Sequence, residues 1–342
     1  MSHVVETDQP PPRAAGVGAD PQQAEPAAPV KGQVPDLRPA MTVAGGFQAI
    51  ARACLAQMVA NAGAVLDGRD PEGVHQMRVG TRRLRSAMAL FKTVIAGPDL
   101  DGIRADLRWL MGALGPARDA DVFEAEIVGP VRAGLPGSAD LDALARVVAA
   151  RRREANRVAR AAVADPRFAV LAARIETWIE AGDWLTAPDR PVRDESIAPF
   201  ARQRLERRWR PVAKGTGRFR RLSPRDRHRL RIQIKKLRYA TEFLGSLFPG
   251  KALARVHKDL ARAQDDLGAL NDVAVARGVL REIAGVQDAK PMAGPSDGAA
   301  QASADLAWAA GLVAGWHERD ARDRLESARR TLKDLARREP AW

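Results

Sequence analysis

The chain of 342 residues holds one cysteine and one tyrosine. The lone Cys54 excludes a disulfide framework and a cysteine-based zinc site. Aromatics make up only 5% of the residues, while Ala, Leu and Arg are abundant, a composition that disfavours β-sandwiches and barrels and favours an all-helical protein. No uninterrupted apolar run reaches the roughly 18 residues of a membrane-spanning helix. The N-terminus, MSHVVETDQPPPR, has neither the basic nor the apolar region of a secretory signal, so a cytoplasmic location without a membrane partner is expected. Acidic residues are also short: 42 Asp+Glu face 55 Lys+Arg, giving a net charge of +13 and a sequence pI near 10.8. Such a balance fits a polyanionic partner.

The charge is unevenly placed. Residues 1–42 are read as a disordered Pro/Ala-rich tail, because eight prolines within the first 40 residues and no hydrophobic periodicity leave little surface to bury. That tail is slightly acidic. From Arg202 to Arg238, by contrast, 16 Lys/Arg oppose only Glu206 and Asp226.

The sequence repeats itself at an offset of 153 residues, without gaps. His75-Gln-Met-Arg78-Val-Gly-Thr-Arg82-Arg83-Leu84-Arg85 falls on His228-Arg-Leu-Arg231-Ile-Gln-Ile-Lys235-Lys236-Leu237-Arg238. Every basic position of the first copy meets a basic residue in the second. Phe47 with Phe200, Asp106-Leu107 with Asp259-Leu260, and Leu114-Gly115 and Asp119 with Leu267-Gly268 and Asp272 keep the same register. Two halves, 43–195 and 196–342, are therefore expected.

Asp70-Pro71 and Ser223-Pro224 each pair a capping residue with a proline suited to the first helical turn, and Asp226 would complete a capping box with Ser223. The two helices are predicted to run to about Gly97-Pro98 and Pro249-Gly250. At 100° per residue, His75, Arg78, Arg82 and Arg85 share an arc about 80° wide. Met77, Leu84, Met88, Phe91 and Ile95 lie opposite. His228, Arg231, Lys235 and Arg238 repeat the basic stripe, with Leu230, Ile234, Leu237, Thr241, Leu244 and Phe248 behind it; Arg83 and Lys236 fall off the stripe. A solvated face explains any single charge run, but not its return in phase 153 residues later. Four donors along ~15 Å of helix suit successive phosphates, which guanidinium groups bind through paired hydrogen bonds. The histidines, set among cations, are expected to be neutral donors, with a carboxylate-bonded histidine the competing reading. Glu242 is expected to orient an arginine.

At these residues the chain resembles the CHAD domain, the conserved histidine α-helical domain. The resemblance is carried by Val74–Phe91, Leu114–Phe123, Leu230–Leu244 and Asp265–Ala276. It implies two four-helix bundles related by a pseudo-two-fold axis around a basic groove or pore, binding of inorganic polyphosphate or another phosphate-rich polyanion, and association with polyphosphate granules and their proteins. The basic surface it implies comprises His75, Arg78, Arg82, Arg83, Arg85, His228, Arg231, Lys235, Lys236 and Arg238. Gly80 stands where relatives often carry alanine, a harmless difference on an exposed face. The CYTH triphosphatase barrel that many relatives carry, with its E-x-E-x-K strand, is absent from the tail.

No motif points to catalysis: the chain lacks G-x-x-x-x-G-K-[ST], H-E-x-x-H and G-x-S-x-G. No cofactor, metal site or catalytic residue is expected, and the tryptophans are read as core residues, Trp308 and Trp316 among them. Arg151-Arg152-Arg153 is read as a solvated face that could extend the groove. Non-enzymatic polyphosphate binding is the leading reading. Its alternatives are a nucleic-acid-binding helical protein and a metal-dependent phosphatase using Asp119 and Asp272.

Overall fold

Apolar residues at every third or fourth position along Ala-, Leu- and Arg-rich segments fold as helices in the computed structural model, which describes residues 27–285, 297–339 and 342. In chain order the helices are α1 (Val43–Ala60), α2 (Ala62–Asp67), α3 (Glu72–Leu90), α4 (Lys92–Ile95), α5 (Pro98–Val122), α6 (Gly129–Gly134), α7 (Ala139–Ala164), α8 (Pro166–Ala181), α9 (Ile197–Thr216), α10 (Pro224–Leu244), α11 (Lys251–Ile283) and α12 (Asp297–Ala336). A π-helical turn, Phe123–Val128, joins α5 to α6. Among the described residues, β pairing is confined to one antiparallel bridge between Thr42 and Ser196.

The predicted caps act as expected with small differences. The Asp70 carboxylate accepts from the Glu72 N–H at 2.8 Å, and Ser223 Oγ accepts from the Asp226 N–H at 3.2 Å while donating to the Asp226 carboxylate at 2.7 Å. Both helices end sooner than predicted, α3 at Leu90 with the short α4 completing the run to Ile95, and α10 at Leu244 with a 3-10 turn, Gly245–Leu247, after it. The apolar face is read correctly: Met77, Leu84, Met88, Phe91 and Ile95 are buried, as are Leu230, Ile234, Leu237, Thr241 and Leu244.

The main apolar core takes residues from both sides of residue 196, with Phe47, Phe91, Trp178 and Trp184 meeting edge-on or tilted and Phe91 stacked on Phe200 at 5.0 Å. A smaller cluster joins Phe123, Ile127, Val128 and Val148 to Ala276, Leu280, Ala309 and Val313. Helices α1 and α2 form one stretch, Val43–Asp67, long and apolar enough by composition to cross a membrane. Its Val43, Phe47, Ile50 and Met58 are nevertheless inside the core. Burial of Cys54 pushes its thiol up to about 12, which leaves it protonated.

Three expectations need correction. The tail does not extend to residue 42 as a free segment: Leu37 is buried, its N–H donates to Ser246 at 2.9 Å, and Asn61 exchanges two 2.9 Å hydrogen bonds with the Val30 backbone. The few apolar residues of 27–42 suffice because Asn61 between α1 and α2, Arg83 of α3 and Ser246 after α10 bind their backbone. Residues 1–26 lie outside the described residues. Trp308 is 56% and Trp316 37% exposed on α12, so neither is a core residue. The Trp316 ring lies against Gly134 of α6 with its other side towards solvent.

The third correction concerns Gly80, which is buried where α3 crosses α1. A Cβ there would stand 2.8 Å from the Met58 backbone nitrogen and 3.2 Å from the Cys54 carbonyl oxygen. Two rigid helices would have to separate to admit alanine. Gly80→Ala is expected to lower stability by about 1–3 kcal/mol. Gly112→Ala, in the interior of α5 with nothing within 4 Å of the added carbon, should raise it by about 0.5–1 kcal/mol. Denaturant midpoints of the two variants check both signs.

Candidate anion-binding cleft

α3 and α10 pack side by side, so the two basic segments meet across one cleft. His75, Arg78 and Arg82 of α3, Arg118 of α5 and Arg231 of α10 line a cavity of about 600 Å³, together with Asp119, Arg151, Asn271 and Asp272. A second cavity, about 290 Å³, is lined by Arg82, Arg85, Arg208, Arg231, Lys235 and Lys236. A third, about 330 Å³, has Arg82, Arg231 and Lys235 on one side and Gln264, Asp265, Asp272 and Arg324 on the other. Arg82 and Arg231 line all three, so the cavities are compartments of one cleft that meet at these two guanidinium groups.

The crowding of like charges shows in the proton affinities. Burial, followed by Arg82, Arg231, Arg78 and Arg238, lowers the Lys235 ammonium to about 8. Burial likewise pushes His75 below its ordinary value, with Arg118 the next contributor, Glu72 opposing, and Arg82 and Arg78 adding to the fall. The expected neutral imidazole follows, although burial outweighs the neighbouring cations. Arg78 is lowered by burial against the pull of Asp119, whose carboxylate lies 3.9 Å away. Asp119 is itself raised by burial, with Arg78 acting against the rise and Asp272 adding to it.

The ten residues assigned to the basic surface divide into two groups. His75, Arg78, Arg82, Arg85, Arg231, Lys235 and Lys236 share the cleft. Arg83 does not: its side chain is 3% exposed, 2.9 Å from Glu242, and donates to Gln57 at 2.7 Å and to the Gln33 carbonyl at 2.9 Å. Arg238 donates to Gln264 at 2.9 Å, lies 3.5 Å from Glu242 and stacks on Tyr239 at 4.8 Å. These contacts hold it at the α10–α11 interface, and Glu242 does orient arginines, two of them. His228 is exposed on the first turns of α10 and lines none of the three compartments.

Sequence reasoning passed over several groups. Tyr239, the one tyrosine, is buried and accepts a hydrogen bond from Arg82 Nε, which fixes that guanidinium. Arg118 comes from α5, outside both basic stripes. Arg204, Arg207 and Arg208 of α9 line a further cavity of about 310 Å³ with Lys92; it shares Arg208, Ala89 and Leu90 with the second compartment. Burial lowers Arg204 and Arg208, each further depressed by Arg207. The only signal for these was the density of positive charge between Arg202 and Arg238. Arg151, expected on a solvated face, lines the large compartment and pairs with Glu282 at 3.0 Å. Among the described residues, no group of three or more His, Cys, Asp or Glu is arranged to hold a metal ion.

Comparison with known proteins places these features in a family. Residues 49–281 match the CHAD domain, with no accompanying match to a CYTH domain. The crystal structure of the CHAD domain from the plant Ricinus communis superposes with a TM-score of 0.74 at 31% identity, covering 90% of this chain and 96% of that one. A second structure, PptA from Streptomyces chartreusis, shares the fold with a TM-score of 0.56 at 19% identity, over 86% of this chain and 99% of that one. No curated protein sequence matches the chain. An all-helical chain with paired H-x-x-R-x-x-x-[RK]-[RK]-L-R segments, matched over most of its length, belongs to the CHAD domain family.

Proposed function

We propose that the chain is a non-enzymatic binding module for inorganic polyphosphate, holding it in the cleft between α3 and α10 and so attaching itself to cytoplasmic polyphosphate granules. The observation that carries this reading is the shared lining of three compartments by Arg82 and Arg231. An extended polyanion laid across that junction meets guanidinium groups on both sides, each able to bind phosphate oxygens through two hydrogen bonds. Its charge also offsets the burial and the neighbouring cations that together depress Lys235 and Arg78. Arg85, Lys236 and Arg208 continue the path towards the Arg204–Arg207 cavity.

The finer architecture proposed with it is a pair of four-helix bundles related by a pseudo-two-fold axis. Helix starts support this: α1 and α9, α3 and α10, and α5 and α11 begin 154, 152 and 153 residues apart.

The first test is titration with long-chain polyphosphate. Binding should weaken steeply with added salt, and Arg78→Glu with Arg231→Glu should cost on the order of 100-fold or more in affinity. Arg153→Glu, exposed on α7, serves as a control. Unchanged affinity in the double variant overturns the reading; displacement of polyphosphate by duplex DNA at equal phosphate concentration favours nucleic acid instead. Release of orthophosphate with Mg²⁺, lost on changing Asp119 or Asp272, would make the protein an enzyme.

A second test uses pH. The bound polyanion favours the charged form of Lys235, and the free protein loses that proton above about pH 8. Below pH 8 the ammonium is already formed and costs nothing to recruit. Above it, binding must take up a proton, so affinity falls as pH rises, by about tenfold between pH 7 and 9 for one such group. Lys235→Arg should abolish most of that fall, as read from binding curves at the two pH values.

A further inference from the structure

The largest compartment of the cleft is chemically two-sided. His75, Arg78, Arg82 and Arg231 occupy one end. Along α11 the lining then changes from polar to aliphatic: Asn271 and Asp272 give way to Val275, Val279 and Ile283, one turn apart each. Facing them are Val122 at the end of α5 and Phe123 and Ile127 of the π-helical turn. The turn's geometry is held in place, since the Ile127 carbonyl is bonded by the buried His317 Nε2 at 2.8 Å. Such π turns recur at functional sites.

An inorganic phosphate chain has no use for this wall. It is charged and hydrated along its whole length, and aliphatic side chains beside it offer no hydrogen bond. Phe123 and Ile127 belong to the second core cluster and Val279 and Ile283 pack against it, but Val275 is 55% exposed and outside it, so packing of the fold does not account for that side chain. A ligand with an anionic head and an aliphatic body would satisfy both ends, the head on the arginines and the body along the α11 stripe. Volume permits it, because about 600 Å³ lies within the range of small-molecule pockets. A nucleotide suits the wall less well: Phe123 is buried to 8% exposure, so it offers little ring face for a base, and of the polar groups beside the wall, Glu126 and Arg151, Arg151 is already paired with Glu282 at 3.0 Å.

We propose that this compartment binds phosphate or diphosphate esters of aliphatic alcohols, with the head between Arg78, Arg82 and Arg231 and the hydrocarbon against Val275, Val279 and Ile283. The proposal rests on the anion-binding reading for its polar end only.

The test measures binding of geranyl diphosphate and inorganic pyrophosphate to the full chain by calorimetry, alongside long-chain polyphosphate. Geranyl diphosphate should bind at least tenfold more tightly than pyrophosphate. Val275→Ser with Val279→Ser should remove that preference while leaving pyrophosphate and polyphosphate affinities unchanged; Val275→Ser alone, at an exposed position, should remove part of it and guards against a folding defect. Equal affinity for the two diphosphates overturns the proposal, as does a preference that survives both substitutions. ADP binding as tightly as geranyl diphosphate would overturn the aliphatic assignment. If polyphosphate binds and the ester shows no advantage, only this inference fails; if polyphosphate does not bind, the broader reading fails with it.

Discussion

Arg83 and Glu242 face each other at 2.9 Å inside the protein, one from α3 and one from α10, and the layout of the cleft follows from that contact. The same guanidinium reaches Gln57 of α1 and the Gln33 carbonyl of the N-terminal segment and lies over the Phe243 ring at 5.9 Å. One side chain therefore ties four parts of the chain together. Burying a lone guanidinium would be costly; with a carboxylate and two neutral acceptors around it, removal of either ionic partner becomes the expensive event. The pair also sets rotation. Successive helical residues are about 100° apart, so Arg83 turned inward leaves Arg82 turned to the cleft. On α10, Glu242 turned inward places Arg238 one turn back at the interface, and Lys235 a further turn back faces Arg82.

This arrangement holds like charges closer than they would stand unaided. Burial first, and neighbouring cations after it, push Lys235, His75, Arg78, Arg204 and Arg208 towards their neutral forms. What opposes the repulsion is apolar burial that continues from one half of the chain into the other, together with acidic groups at the margins. Asp119 and Asp272 stand in the cleft itself, where they moderate the field without pairing closely, since the nearest Arg78–Asp119 approach is 3.9 Å. An anion bound there would relieve that repulsion, the usual exchange of stability for binding.

Local chemistry made much of the fold legible. Periodicity gave the buried faces of α3 and α10, and Asp70 and Ser223 marked their starts, because those features depend on residues a few positions apart. What was illegible depends on partners distant in sequence. Gly80 reads as an ordinary helical residue until α1 is laid against it. Residues 27–42 read as tail because their anchors, Asn61, Arg83 and Ser246, are supplied by helices elsewhere. Arg83 reads as one more ligand-binding cation because a motif lists charge types and not orientations, and its angle on the helix wheel does not decide the matter, since Lys236 at the matching angle lines the cleft. Arg118 and the aliphatic stripe of α11 join the cleft only through tertiary packing.

Three of the positions matched by the 153-residue offset differ in environment. His75 lines the large compartment and is half-buried, while His228 is exposed outside it. Arg83 is an interior ion-pair residue and Lys236 an exposed cation of the second compartment. Arg85 is exposed in the cleft, whereas Arg238 is bound by Gln264 and Glu242. Arg78 with Arg231 and Asp119 with Asp272 do line one cavity together, and Arg82 with Lys235 two others. A repeated sequence would by itself generate a cleft whose two ends are alike. These substitutions of environment make the ends differ, one closing on an aliphatic wall of α11 and the π turn, the other opening along the arginines of α9.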